Sequence, residues 1–140
     1  MKIAICGSMA FLNEMKQAAA ELAALGHEVI LPRSAELGHG KTFTDALKAQ
    51  SPQEYSALKT MRVKEHFDKV KAGDAILVLN YDKLGKLAYI GPNTFLEMGV
   101  AFHENKKIFL LNSPSPLDPN LEEIEALEPV VLDGNIAKIR

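Results

Sequence analysis

Ala75-Ile76-Leu77-Val78-Leu79-Asn80 and, about ten residues on, Gly91-Pro92-Asn93-Thr94-Phe95-Leu96-Glu97-Met98-Gly99-Val100-Ala101 are the two runs that decide the fold of this chain. The first is short, continuous and apolar, and reads as a central strand. The second opens on Gly-Pro, a helix start. Glu97 lies one turn inside that helix, among Phe95, Leu96, Met98, Val100 and Ala101. A carboxylate in such company is costly to bury unless it is paired or put to use. Its place just beyond the carboxyl end of a central strand is where open α/β sheets bind their ligands.

The same alternation extends to both sides. Lys2–Cys6 is a short β run ending at Gly7-Ser8. Leu12, Met15, Ala18, Ala19, Leu22 and Leu25 recur at helical spacing and predict a helix over Phe11–Leu25, stopped by Gly26. Glu28–Leu31 is a second strand, closed by Pro32, so the chain begins β-α-β with parallel strands and a right-handed crossover. Residues 33–50 read as a loop with a weak helix at Thr44–Ala49. Ser51-Pro52-Gln53-Glu54 is a capping box, and its helix is expected to run to about Lys71 and stop at Gly73. A polar loop covers Tyr81–Ile90, and the Glu97 helix spans about Pro92–Glu104. Lys107–Leu111 is strand four, Asn120–Leu127 a short helix, Pro129–Leu132 strand five, and the tail after Gly134 a last helical turn.

Five β runs alternating with helices predict one domain over residues 1–140, a three-layer α/β/α sandwich on a five-stranded parallel sheet in the doubly wound order 2-1-3-4-5. That order sets strands one and three side by side, so the loops after them, at Gly7-Ser8 and Tyr81–Ile90, share one crevice.

Composition narrows the function. The 140 residues are 47% hydrophobic and 24% charged, with a formal net charge of −2 and no Lys/Arg block. That balance argues against a polymeric nucleic-acid partner and leaves room for a small anionic ligand. Cys6 is the only cysteine, no apolar run approaches a membrane span, and the N-terminus enters a strand directly, so a cytoplasmic protein with no membrane partner is expected. His27, His39, His66 and His103 lack paired metal-ligand spacing, and no metal and no cofactor is expected. Gly7-Ser8 falls far short of a dinucleotide fingerprint.

Two segments resemble the nucleoside 2-deoxyribosyltransferase superfamily, which includes the nucleoside 5′-monophosphate N-glycosidases. They are Ile5-Cys6-Gly7-Ser8-Met9 after strand one and Asn93–Ala101, with Glu97-Met98-Gly99-Val100-Ala101 in the position of the family's Glu-[Met/Leu]-Gly-x-Ala helix. The resemblance covers about residues 2–111. It implies that Glu97 is the nucleophile and that Asp74 matches an Asp opening strand three. It also implies a nucleoside or nucleotide substrate and a homodimer or higher homo-oligomer. Two positions depart from the transferases: His66 stands where they carry an acid, and Gly91 where they often carry an Asp.

The expected chemistry is N-glycosidic cleavage or transfer. A carboxylate beneath the anomeric carbon stabilises or attacks an oxocarbenium-like sugar, as in retaining glycosidases. His66 or Asp82 would protonate the leaving base. Cys6, Gly7, Ser8, Met9, Asp74, Asn80, Asp82, Asn93 and Thr94 form the expected substrate-binding set. Each has a plainer competitor: Glu97 as a helix carboxylate reaching solvent or capping a neighbour, Asp74 as a turn or cap residue, His66 as a solvated or interhelix histidine, Asn93 and Thr94 as helix caps, Cys6 as a small core residue. The alternative function is a non-catalytic nucleotide-binding domain of the same fold. A flavin carrier shares the topology but ranks last, for want of Trp and of a Ser/Thr-rich loop after strand one.

Overall fold

The computed structural model describes all of Met1–Arg140. The strands are β1 (Lys2–Gly7), β2 (Glu28–Ile30), β3 (Ala75–Leu79), β4 (Lys107–Leu110) and β5 (Val130–Val131). They form one all-parallel sheet in the order β2-β1-β3-β4-β5. The expected topology is therefore observed. β3 sits at the centre, and all five of its residues are buried, which is why it reads as an unbroken apolar run rather than an alternating one.

Side-chain alternation along the strands builds two cores. One face of the sheet carries Ile3, Ile5, Leu77 and Leu79 against Met15, Ala18 and Leu22 of α1 (Leu12–Ala24), with Ile136 and Ile139 of the tail. The other carries Ala4, Cys6, Ile76 and Val78 against Val70, Met98, Ala101 and Ile124. Those last four come from α4 (Pro52–Ala72), α5 (Pro92–His103) and α6 (Leu121–Ala126). No helix is long and apolar enough to cross a membrane.

Local signals set the helix ends. Ser51 Oγ accepts the Glu54 amide at 3.3 Å, Pro52 is the first residue of α4, and Gly73 ends it. Ser51→Ala is expected to cost about 1 kcal/mol. It should appear as a lower urea midpoint at unchanged m-value. Gly73 is small for a reason of space: a Cβ there would lie 3.1 Å from the Lys2 carbonyl oxygen.

The segment expected as a loop is where the structure departs most. Residues 33–50 hold a short helix α2 (Arg33–Glu36) and a full helix α3 (Lys41–Gln50). α3 buries none of its residues, although Phe43, Ala46 and Leu47 recur along it at helical spacing. His39 stacks on Phe43 with ring centroids 3.8 Å apart, tying the start of α3 to the preceding turn.

Candidate active site

The strands all point their carboxyl ends to the same edge of the sheet, and the cavity lies there, as expected at the switch point between β1 and β3. It has a volume of about 380 Å³. Gly7, Ser8 and Met9 line it from the turn after β1, Lys83 and Tyr89 from the loop after β3, and Gly91, Asn93, Thr94 and Glu97 from α5. The far wall comes from α2, α3 and α4, with Ser34, Phe43, Tyr55, Arg62 and His66. The α2–α3 segment thus forms part of the cavity wall, and in the sequence it reads only as a loop with a weak helix at Thr44–Ala49.

Of the expected site residues, Gly7, Ser8, Met9, His66, Asn93, Thr94 and Glu97 line the cavity. Cys6 lies behind its wall, fully buried, and touches the site through His66 and Glu97. Three others lie elsewhere. Asp74 opens β3, so it sits at the amino edge of the parallel sheet, where its Oδ2 accepts the Lys2 amide at 2.8 Å. Asn80 is fully buried and locked to Asn112: its Nδ2 donates to the Asn112 carbonyl at 2.7 Å and its Oδ1 accepts the Asn112 amide at 2.9 Å. Asp82 closes the loop after β3 by accepting the Ala88 amide at 2.8 Å. These are structural bonds, and none of the three residues lines the cavity.

Glu97 projects from the second turn of α5 onto the end of β1. Its side chain is only 12% exposed, and Oε2 stands 3.7 Å from His66 Nε2. Burial pushes the Glu97 carboxyl up to about 7, with the neighbouring Cys6 thiol pulling the other way. His66, on α4, is held by its ring: Nε2 lies 3.0 Å from the Ile5 carbonyl oxygen. A carbonyl only accepts, so Nε2 carries the proton and Nδ1 the lone pair. Nδ1 is buried with no partner. Burial, helped by the Lys69 ammonium, lowers His66 to about 4, against the Ile5 bond. The ring is therefore neutral at pH 7, and its one proton is committed to the backbone. His66 reaches the site as expected, but as a neutral wall beside Glu97 and not as an acid for the leaving base. Burial, then the charge of Glu97, raises the Cys6 thiol well above its ordinary value.

The cavity is cationic although the chain is net acidic. Arg33, Lys41, Lys59, Arg62 and Lys83 line it, against Asp45 and Glu97. Most of these charges are answered locally: Lys41 pairs with Asp45, and Arg33 and Arg62 share Glu65. Lys83 differs. Its Nζ donates to Ser8 Oγ at 3.0 Å and sits 4.7 Å from the centre of the Tyr89 ring. Ser8 Oγ also accepts the Ala10 amide at 3.2 Å. Both its lone pairs are then used, which leaves the hydroxyl proton for a ligand.

Two solved structures share this architecture. One is a 2-deoxyribosyltransferase from the psychrotolerant bacterium Bacillus psychrosaccharolyticus, with a TM-score of 0.53 and 23% identity, over 87% of this chain and 79% of that one. The other is a CMP N-glycosidase from Clostridium botulinum, with a TM-score of 0.51 and 17% identity, over 94% and 84%. The chain has the fold of these two enzymes. No protein-family model and no curated protein matches the sequence. The likeness is one of fold, and fold alone does not assign chemistry, so function has to be argued from the cavity.

Proposed function

We propose that the protein cleaves or transfers the N-glycosidic bond of a nucleoside 5′-monophosphate through a covalent intermediate on Glu97. The observation that carries this reading is a single, nearly buried carboxylate at the floor of a cationic cavity of nucleotide size. The Glu97 oxygen attacks the anomeric carbon as the C–N bond breaks, and the base leaves with the bonding pair and takes up a proton. Water, or a second base, then attacks the same carbon and frees Glu97. Release of the base into a cavity open to solvent lets water supply that proton, since His66 is neutral with its proton held by Ile5.

Ser8 and Lys83 are the proposed phosphate contacts. A charge-assisted bond to phosphate is worth roughly 1.5–3 kcal/mol, which is about 10–100-fold in affinity. Lys83→Ala is therefore expected to raise KM for 5′-monophosphates by about that factor and to leave turnover of the free nucleosides unchanged. Equal loss on both substrate classes would remove the phosphate from the proposal.

The reading itself is tested by following base release from nucleosides and 5′-monophosphates by chromatography, with and without an added acceptor base. A non-catalytic nucleotide sensor is the second reading. It is favoured by the cavity's other carboxylate, Asp45, being held by Lys41 rather than free to serve as an acid. Nucleotide binding by calorimetry with no base release from any substrate would establish it. A homo-oligomer completing the cavity rim, as the resemblance implies, is proposed alongside, and sedimentation at micromolar concentration reads it directly.

A further inference from the structure

Cys6, His66 and Glu97 come from β1, α4 and α5, and each aims a metal-binding atom at the same point. The sulfur, ring nitrogen and carboxylate oxygen all lie within 4.8 Å of one another. Nε2 is 3.5 Å from Sγ and 3.7 Å from Oε2. Neighbouring ligands of a tetrahedral zinc ion, with bonds of about 2.0–2.3 Å, stand roughly 3.3–3.6 Å apart. Two of the three edges are thus close to the lengths that such an ion requires, and the third lies within 4.8 Å. Thiolate, imidazole and carboxylate together suit zinc or cobalt, whereas magnesium and calcium take oxygen donors. The Ile5 carbonyl oxygen, 3.0 Å from Nε2, is a fourth donor at hand. His66 and Glu97 both line the cavity, which gives the ion a way in.

We propose that Cys6, His66 and Glu97 form a site for a divalent zinc-type cation, and that filling it switches the cavity off by occupying the Glu97 carboxylate. Binding releases the thiol proton, and the carboxyl proton where Glu97 carries one. The ring proton moves from Nε2 to Nδ1, and Nε2 gives up its bond to Ile5. One thiolate and one carboxylate cancel the two charges of the ion, so the buried unit is neutral. The device is a reversible one. A ligating histidine ordinarily donates its second N–H to an acceptor, and Nδ1 here has none, which keeps the affinity below that of a structural zinc site.

The site stands whether or not the protein cleaves glycosidic bonds, and cobalt reads it without any substrate. Titrating the full chain with Co²⁺ is expected to give a near-ultraviolet thiolate-to-cobalt band together with the strong visible bands of a four-coordinate ion. One equivalent of Zn²⁺ should bleach both. Cys6→Ser should lose the thiolate band. Glu97→Gln, which keeps the side-chain shape, should keep that band but weaken Co²⁺ binding by at least about tenfold. Absence of the thiolate band in the wild-type protein overturns the proposal, as does Co²⁺ affinity unchanged in both variants. A protein that shows the band, yet releases no base from any substrate, keeps the metal site and loses the glycosidic reading.

Discussion

Glu97→Gln is expected to cut base release by at least about 10³-fold, because an amide cannot take the place of the attacking carboxylate. The substitution keeps size and most packing at a side chain that is 12% exposed, so nucleotide binding should persist. That split between lost turnover and kept binding separates a nucleophile from a merely structural glutamate. The wild-type rate carries a second signature. Glu97 must be ionised to attack, and burial holds its carboxyl at about 7. Activity on a nucleoside should therefore rise with pH through about 7, with an acid limb set by Glu97 alone, since His66 is already neutral above about 4. Base release by the glutamine variant at the wild-type rate would sink the assignment.

The same two side chains are expected to give opposite pH dependences of stability. Glu97 titrates at about 7 in the folded protein against 4.5 for a free carboxyl. Its stabilising contribution is complete below 4.5 and is lost as pH rises through 7. His66 titrates at about 4 against 6.5. Its contribution is complete above 6.5 and is lost as pH falls through 4. Each of these displacements from the ordinary value corresponds to roughly 3 kcal/mol. Between pH 4.5 and 6.5 the unfolded chain holds one proton on the pair, at the histidine. The folded protein also holds one, at the glutamate. Proton uptake is then balanced, and the pair adds almost no slope to the wild-type curve in that window.

Single variants expose the hidden slopes. Glu97→Gln leaves only the His66 contribution, so its stability should fall as pH drops from 6.5 towards 4. His66→Gln leaves only that of Glu97, so its stability should fall as pH rises from 4.5 towards 7. Urea titrations at three pH values across the window measure both. Slopes of the same sign in the two variants would mean that the proton does not move from histidine to glutamate on folding.

Most of the architecture was legible because the signals are local. β3 is an apolar run short enough to be a strand and buried on both faces. Ser51, Pro52 and Glu54 mark the start of α4, and Gly91-Pro92 that of α5, through backbone groups a few residues apart. α3 was not legible to its full length, because none of its residues is buried and its apolar spacing, Phe43, Ala46 and Leu47, covers little more than one turn. Asp74 shows a different limit. Resemblance placed it in the site, yet a residue that opens a parallel strand lies at the amino edge. Five residues at about 3.3 Å each put it roughly 17 Å from the carboxyl edge where the cavity forms.

By itself the sequence determined the five strands, the helices outside residues 33–50, the parallel sheet and the candidacy of Glu97, since a carboxylate in an apolar helix is anomalous wherever it falls. Only the tertiary structure decided what surrounds that carboxylate. Cys6 and His66 are 60 residues apart in the chain and 3.5 Å apart in space. The Ile5 carbonyl fixes the proton on the ring, and Lys83 crosses from the loop after β3 to Ser8 after β1. Proton affinities and cavity charge depend on burial and on neighbours brought in by long-range packing, and no spacing along the chain encodes those distances.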